Sequence, residues 1–147
     1  MLRVPLHQLD PDLGVPAYAR PGDAGADLVA RQDAVLPARG GRALVPTGVA
    51  VAIPDGFAGL VLPRSGLALR HGVTCLNTPG LIDSGYRGEL QVILVNHDPV
   101  DDYAVCRGDR IAQLVIVAVE EAGFDLVSAG GLGEATRGSG GFGHTGT

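Results

Sequence analysis

The most informative stretch of this sequence is residues 80–89, which read Gly80-Leu81-Ile82-Asp83-Ser84-Gly85-Tyr86-Arg87-Gly88-Glu89. An apolar pair leads into a carboxylate, a Ser-Gly turn reverses the chain, and an aromatic ring returns beside that carboxylate. The pattern predicts a rigid hairpin that holds Asp83 and Tyr86 close together. A carboxylate next to an aromatic wall suits a small flat substrate. The alternative interpretation is an ordinary hairpin with an exposed aspartate.

Short apolar runs on both sides of this stretch predict an all-β domain. In residues 49–53 and 90–95 the larger apolar side chains alternate with other residues, as in strands. Glycine and proline number 23 and 10 of 147 residues, which favours many turns and few long helices. Only Ser65–His71 has a helical pattern, so we expect a β-barrel or sandwich with one short helix. The strands are expected near 26–31, 43–53, 57–62, 73–77, 88–96, 103–106 and 110–119.

The run Ile111–Val119 is apolar on both of its faces. In a small antiparallel domain, such a strand is difficult for one chain to cover. The run is therefore either a strand beside an oligomer interface or an internal central strand.

Size and charge limit the classes of function. At 147 residues the chain is expected to form one domain, and a hydrophobic content of 46% excludes wholesale disorder. The formal net charge of −5 argues against a nucleic-acid partner, although clustered arginines can still bind a small anion. No run approaches the ~18 apolar residues of a membrane span, and the N-terminus lacks a signal-peptide pattern. We expect a soluble cytoplasmic protein without a membrane partner.

The cysteines and histidines give no metal-binding pattern. Cys75 and Cys106 stand in apolar, strand-like contexts without C-x-x-C spacing, so that two buried free thiols are expected rather than a disulfide. The four histidines lack the spacing of zinc ligands.

Two Gly-containing segments carry candidate phosphate and metal chemistry. In Pro63-Arg64-Ser65-Gly66-Leu67-Ala68 a strand ends and the helix begins, so the segment is either an anion site with Arg64 as its charge or a plain N-cap. In Asp23-Ala24-Gly25-Ala26-Asp27-Leu28, Asp23 is expected to cap the turn. Asp27 either faces a cation or also caps the turn. Two carboxylates are too few for an all-protein Ca²⁺ site and fit Mg²⁺ shared with substrate phosphates better.

The later segments suggest a phosphate contact and a closing tail. Arg107-Gly108-Asp109-Arg110-Ile111-Ala112-Gln113 is either a charged turn with Asp109 paired to an arginine or a segment that aims Gln113 at a phosphate. Eight of the 19 residues in 129–147 are glycine, which is typical of a flexible tail or linker. Around Arg137, Ser139 and Phe142 the tail offers the groups needed to wrap phosphates and stack on a base. We divide the chain into a β domain, 1–128, and this tail.

Taken in order, these segments resemble the five motifs of the trimeric deoxyuridine triphosphatases (dUTPases, dUTP diphosphatases), from about residue 19 to the C-terminus. Leu81 stands where the family more often has Thr or Val, and His144 where it usually has Ser or Thr. The matching segments are 23–28, 63–68, 80–88, 107–113 and Arg137-Gly138-Ser139-Gly140-Gly141-Phe142-Gly143.

The resemblance implies a jelly-roll, β-barrel-like homotrimer with three sites between subunits, each closed by a tail. The implied reaction is dUTP + H₂O → dUMP + pyrophosphate, by attack of water on the α-phosphorus, which keeps uracil out of DNA and supplies dUMP. Asp83 would hold and deprotonate that water. Mg²⁺ would bridge the phosphates, with Asp27 reaching it through coordinated water.

The resemblance also implies the substrate contacts. Uracil would meet Asn77 and the 80–91 hairpin, and Tyr86 would pack on the deoxyribose and exclude a 2′-OH. Phe142 would stack on the base. The phosphate contacts would be Arg64, Ser65, Gly66, Gln113, Arg137 and Ser139, and the hairpin residues assigned to the substrate are Leu81, Ile82 and Gln91. The alternatives are a dCTP deaminase, which would need a glutamate near Asp83, and a non-catalytic nucleotide-sensing trimer.

Overall fold

The computed structural model describes residues 1–136, 138 and 139. These residues form ten strands, one α-helix and one 3₁₀ helix, which confirms the expected all-β fold with a single short α-helix. The elements are β1 (Leu6–Gln8), β2 (Ala26–Val29), β3 (Ala34–Leu36), β4 (Arg42–Val51), β5 (Phe57–Leu62), α1 (Ser65–His71), β6 (Val73–Cys75), β7 (Gly80–Ile82), β8 (Glu89–Asn96), β9 (Tyr103–Val105), β10 (Arg110–Ala118) and the 3₁₀ helix (Ala129–Leu132).

Two antiparallel sheets enclose the core. One has the strand order β1-β4-β8-β6 and the other β2-β10-β5-β7, while β3 and β9 form a separate pair. In β8, Leu90, Val92 and Leu94 turn inward, as the sequence pattern predicts, whereas the buried residues of β4 and β10 do not alternate regularly. Buried side chains from both sheets form one cluster that includes Leu28, Val45, Leu90, Val92, Leu94, Ile111 and Leu114.

The prediction of a hairpin in residues 80–91 is wrong, because its two strands do not pair with each other, although the turn between them is present. The Tyr86 N–H donates to the Asp83 carbonyl at 3.1 Å, which closes the turn. However, β7 pairs with β5, whereas β8 lies between β4 and β6 in the other sheet. The segment therefore crosses between sheets, because β8 finds hydrogen-bonding partners on both of its edges and has none left for β7.

Strand β10 lies inside its sheet, between β2 and β5, which is one of the two interpretations of its apolar sequence. Its first half is buried, through Ile111, Ala112 and Leu114. Its second half, residues 115–117, is only half-buried despite being apolar. The single chain therefore leaves part of this strand uncovered.

The two cysteine thiols differ in their exposure to solvent. Cys75 is buried and free, as expected, and burial raises the pKa of its thiol to about 11. Cys106 is free but exposed, so the expectation of a second buried thiol is wrong. It follows β9 in a turn, where its backbone N–H donates to Asp109 Oδ2 at 2.8 Å.

None of the helices in the described part of the chain is long and apolar enough to cross a membrane.

Candidate active site

Three of the segments identified in the sequence, 23–28, 63–68 and 107–113, meet at one cavity. Strand β10 lies between β2 and β5, and Gln113 faces Asp27 on one side and Leu62 on the other. This pairing brings the 23–28 turn, the start of α1 and the 107–113 segment together. They enclose a cavity of about 370 Å³, here called the phosphate cavity, lined by Ala19, Asp23, Ala24, Gly25, Asp27, Leu62, Arg64, Ser65, Gly66, Arg110, Gln113 and Val115.

Asp27 is held between two guanidinium groups at the phosphate cavity. Arg64 Nε lies 3.1 Å from Asp27 Oδ1, and Arg110 Nη1 lies 3.2 Å from Oδ2. Arg64 Nη1 also donates to the Arg110 carbonyl at 3.1 Å, which fixes the two arginines to each other. The cavity thus contains two guanidinium groups and, with Asp23 at its rim, two carboxylates. The guanidinium N–H groups are donors that suit an anion.

Asp23 lies at the rim of the same cavity and caps its turn, as predicted. Its Oδ2 accepts the Arg20 backbone N–H at 2.8 Å. Within the described residues no three His, Cys, Asp or Glu side chains are grouped to hold a metal. Mg²⁺ is usually held by one or two carboxylates together with phosphate oxygens and water, so Asp27 and Asp23 could hold a Mg²⁺ that is shared with a phosphate group.

Gln113 is positioned by its neighbours on two sides. Its Nε2 donates to the Pro63 carbonyl at 3.0 Å and carries a second hydrogen for another acceptor. A Cβ at Gly25 would lie 2.4 Å from Gln113 Oε1, so that glycine allows the close approach.

The plain N-cap interpretation of Ser65 is wrong. The N-cap is Arg64, in extended conformation (φ −97°, ψ 123°), and Ser65 is the first helical residue. Neither α1 nor its cap residue has a side-chain capping bond. The exposed Ser65 hydroxyl therefore remains available at the phosphate cavity.

A second, smaller cleft forms around Asp83 and Tyr86. Its volume is about 160 Å³, and it is lined by Leu81, Ile82, Asp83, Tyr86 and Gln91. The Tyr86 hydroxyl donates to the Glu89 carbonyl at 3.0 Å. We call it the base cleft, after the ligand group expected there from the sequence. Asn77 lies beside this cleft rather than in its lining; its Nδ2 would be 3.3 Å from a Cβ at Gly80.

The two sites lie at opposite ends of β5. Ile82 pairs with Gly59 near the start of β5, whereas Arg64 follows Leu62 at its end. Gly59 and Leu62 are three residues apart, or roughly 10 Å at the rise of a strand. Because β5 and β7 are antiparallel, the chain continues from each in opposite directions, which carries Asp83 and Arg64 further apart. One chain therefore presents two separate half-sites.

The predicted residues divide accordingly. Arg64, Ser65, Gly66, Gln113 and Asp27 meet at the phosphate cavity, and Leu81, Ile82, Asp83, Tyr86 and Gln91 meet at the base cleft. Ser139 is exposed in a turn and lines neither of these two sites, while Arg137 and Phe142 lie outside the described residues.

Sequence reasoning gave Arg110 no role, although it stands as a charge at the head of an apolar strand. One of the two interpretations of residues 107–113 paired Asp109 with an arginine. Asp109 instead accepts a backbone N–H within its own turn, because the turn brings that donor closer.

Comparison with known proteins agrees over nearly the whole chain. The sequence model of the dUTPase family matches residues 12–146. The deoxyuridine 5′-triphosphate nucleotidohydrolase of Thermobifida fusca is 57% identical over 145 residues, covering 99% of this chain and 79% of that protein. That of Cutibacterium acnes is 57% identical over 132 residues, covering 90% and 85%.

Solved structures show the same fold. A mutant dUTPase of Staphylococcus bacteriophage 80alpha with dUpNHpp superposes with a TM-score of 0.88 at 26% identity, covering 100% of both chains. A mutant dUTPase of S. aureus phage phi11, described for its coordination of a structural Mg(II) ion, gives 0.78 at 26%, covering 86% of this chain and 97% of that one. This chain belongs to the dUTPase family.

Proposed function

We propose that this dUTP-hydrolysing enzyme acts through water held by Asp83, at sites that join the base cleft of one subunit to the phosphate cavity of another in a homotrimer. The observation that carries the proposal is the separation of the two half-sites along β5. A single nucleotide needs a base pocket, a water-activating group and cationic phosphate contacts at one place. One chain supplies all of these groups but not together.

Asp83 is the proposed base. Its carboxylate is exposed at the end of β7, where it can accept a hydrogen bond from a water molecule and orient it. The water oxygen attacks the α-phosphorus, its proton passes to Asp83, and the bond between the α-phosphorus and the bridging oxygen breaks to release pyrophosphate. Positioning and charge stabilisation supply most of the catalysis in such a reaction.

The phosphate cavity would hold the triphosphate. Arg64 contributes charge, Ser65 its hydroxyl, Gly66 its backbone, and Gln113 the remaining hydrogen of its amide. Asp27, with Asp23 at the rim, would hold Mg²⁺ through coordinated water, and the ion would neutralise phosphate charge.

The base cleft would select uracil and deoxyribose. Asn77 offers a donor and an acceptor to the polar edge of the base, next to backbone groups of the 80–91 segment. Leu81, Ile82 and Gln91 form the walls. The Tyr86 ring would pack on the sugar and leave no space for a 2′-OH, so that UTP is rejected.

Uncovered apolar side chains support the assembly. Residues 115–117 of β10 are only half-buried, and Phe124, Leu126 and Leu132 are almost fully exposed in the single chain. Large apolar groups left in contact with water indicate a surface that another subunit covers. The tail from residue 129, with Arg137, Ser139 and Phe142, would close over a neighbouring site. A cytoplasmic location remains a prediction from the sequence.

The role of Asp83 is tested by Asp83→Asn, with the exposed Asp55→Asn as a matched control. We expect Asp83→Asn to bind dUTP in a calorimetric titration but to release almost no pyrophosphate, and the control to match wild type. Normal turnover by Asp83→Asn would remove this residue from the mechanism. Ammonia release from dCTP by the wild-type protein would instead indicate a deaminase, and tight dUTP binding without turnover a sensor.

The division of the site is tested by mixing. Asp83→Asn and Arg64→Ala chains, each inactive alone, are unfolded together and refolded. If the two groups come from different subunits of a cyclic trimer, about a quarter of all sites regain both intact residues. If they come from one chain, no site does. Absence of recovered activity in correctly assembled mixed trimers would therefore contradict the proposal.

A further inference from the structure

We propose that Arg31 and Glu89, which lie outside both half-sites, act as positioning residues that hold Tyr86 in place for sugar selection. The proposal rests on the role given above to Tyr86. It assigns a purpose to a group of four charged side chains, which we call the ionic brace: Asp10, Arg31, Glu89 and Arg107.

The position of the Tyr86 ring depends on the backbone at Gly88 and Glu89. The phenol hydroxyl donates to the Glu89 carbonyl at 3.0 Å. The ring also lies over Gly88, where an added Cβ would meet the hydroxyl oxygen at 2.4 Å. A shift of the Glu89 backbone would therefore move the ring with it.

The Glu89 side chain connects this backbone to β4, the neighbouring strand of the same sheet. Its Oε1 accepts the Gly48 N–H at 2.8 Å, at the point where the register between β4 and β8 shifts. Arg31 Nη1 lies 3.4 Å from both carboxylate oxygens. The Glu89 side chain is only 18% exposed, so its charge is shielded from water and depends on Arg31.

Arg31 is in turn held by the other two members of the ionic brace. Its Nε lies 3.5 Å from Asp10 Oδ2, and its carbonyl accepts Arg107 Nη1 at 2.8 Å. Arg107 donates to both carboxylate oxygens of Asp10, through Nη1 to Oδ2 and through Nη2 to Oδ1 at 3.0 Å. Positive and negative groups alternate, so each of the four charges has an opposite neighbour, and a network of this kind stabilises more than an isolated surface pair.

The ionic brace adjoins the base cleft. Its four side chains line a cavity of about 610 Å³ together with Gln91, and Gln91 also lines the cleft of Asp83 and Tyr86. Glu89 and Gln91 are two residues apart on β8 and share one face of the strand, so Gln91 connects the charged groups to the proposed sugar site. Loss of the ionic brace should therefore loosen Tyr86 without removing any group that touches the substrate.

The test is the ratio of kcat/KM for dUTP to that for UTP, measured for Glu89→Gln and Arg31→Ala. Glu89→Gln keeps an acceptor for the Gly48 N–H and removes the charge, so it separates ion pairing from the hydrogen bond. Because the pair is partly exposed, we expect the ratio to fall about twofold to fivefold while kcat for dUTP stays unchanged within error. Arg31→Lys should restore most of the ratio, which a purely structural loss would not.

Two controls make the outcomes distinct. Arg42→Ala removes an exposed arginine without an ion pair among the described residues and should leave the ratio unchanged. Tyr86→Ala reports on the proposed function itself. If Tyr86→Ala lowers the ratio but the Arg31 and Glu89 variants do not, the positioning role is overturned. If Tyr86→Ala leaves the ratio unchanged, sugar selection by Tyr86 fails, and this inference fails with it.

Discussion

Substitution of Gly88 by alanine should displace the Tyr86 ring by about 1 Å. The added Cβ would lie 2.4 Å from the phenol oxygen, 2.6 Å from Cζ and 3.1 Å from Cε2. Non-bonded carbon atoms rest about 3.5–4.0 Å apart, so the ring has to move outward. Gly88 does not occupy a left-handed backbone conformation, so alanine adds no backbone strain and the effect falls on the ring alone.

The expected effects on stability and activity differ in size. The shift weakens the bond from Tyr86 to the Glu89 carbonyl, and a net hydrogen bond contributes about 0.5–1.5 kcal/mol to the free energy of unfolding. Tyr86 is 43% exposed, so water can replace part of that bond and the lower value is expected. Activity is more sensitive, because a misplacement of about 1 Å can reduce a rate up to ~100-fold. We expect kcat/KM for dUTP to fall at least about tenfold and the preference over UTP to fall with it.

The measurements are pyrophosphate release from dUTP and UTP, and urea unfolding of the same samples. Gly85→Ala is the matched control, because its Cβ would meet nothing within 4 Å in the same turn. If Gly88→Ala retains the rate and the nucleotide preference of Gly85→Ala, the placement of the Tyr86 ring does not govern sugar selection.

Further predictions concern the tail, one carboxylate and the thiols. Deletion of residues 136–147 should remove most turnover while the trimer stays folded by light scattering; a truncated protein as fast as wild type would refute tail closure. The hydrogen bond from Arg107 lowers the pKa of Asp10 from 3.8 to about 2, so its contribution to stability is complete above about pH 4 and is lost as the pH falls towards 2. Asp10→Asn should therefore be less stable than wild type at pH 7 by urea unfolding, with a difference that narrows below about pH 4; a constant difference would contradict this. A thiol reagent at pH 8 should modify Cys106 quickly and the buried Cys75 only after unfolding, and a fast phase that survives Cys106→Ser would be inconsistent with the structure.

The longer elements follow from local chemistry and were predicted within a few residues. Helix α1 spans Ser65–His71 as expected, because Gly72 follows it in a left-handed conformation (φ 62°) and donates to the Ala68 carbonyl. Strands β4, β8 and β10 have enough residues for alternation or apolar runs to stand out. The sequence did not predict β1 and β3, which have three residues each. Strands β6 and β9 are equally short but lie within expected strands, and β7 lies in the first arm of the expected hairpin.

Two further errors concern the choice of partners. Whether β7 pairs with β8 or with β5 depends on which strand edges the rest of the fold leaves open, and no pattern within residues 80–89 records that. The same holds for Asp109, whose partner is a backbone N–H within its turn rather than an arginine. Local sequence indicates that such groups are important; the three-dimensional neighbours decide what they contact.

The pairing of β7 with β5 has a consequence for catalysis. Antiparallel pairing with β5 carries Asp83 and Arg64 away from each other, from opposite ends of one strand. If the proposed division of the site is correct, subunit assembly creates the active site as well as covering apolar surface. Substitutions in residues 115–117 that weaken assembly should then reduce turnover at protein concentrations where the separate subunits remain folded.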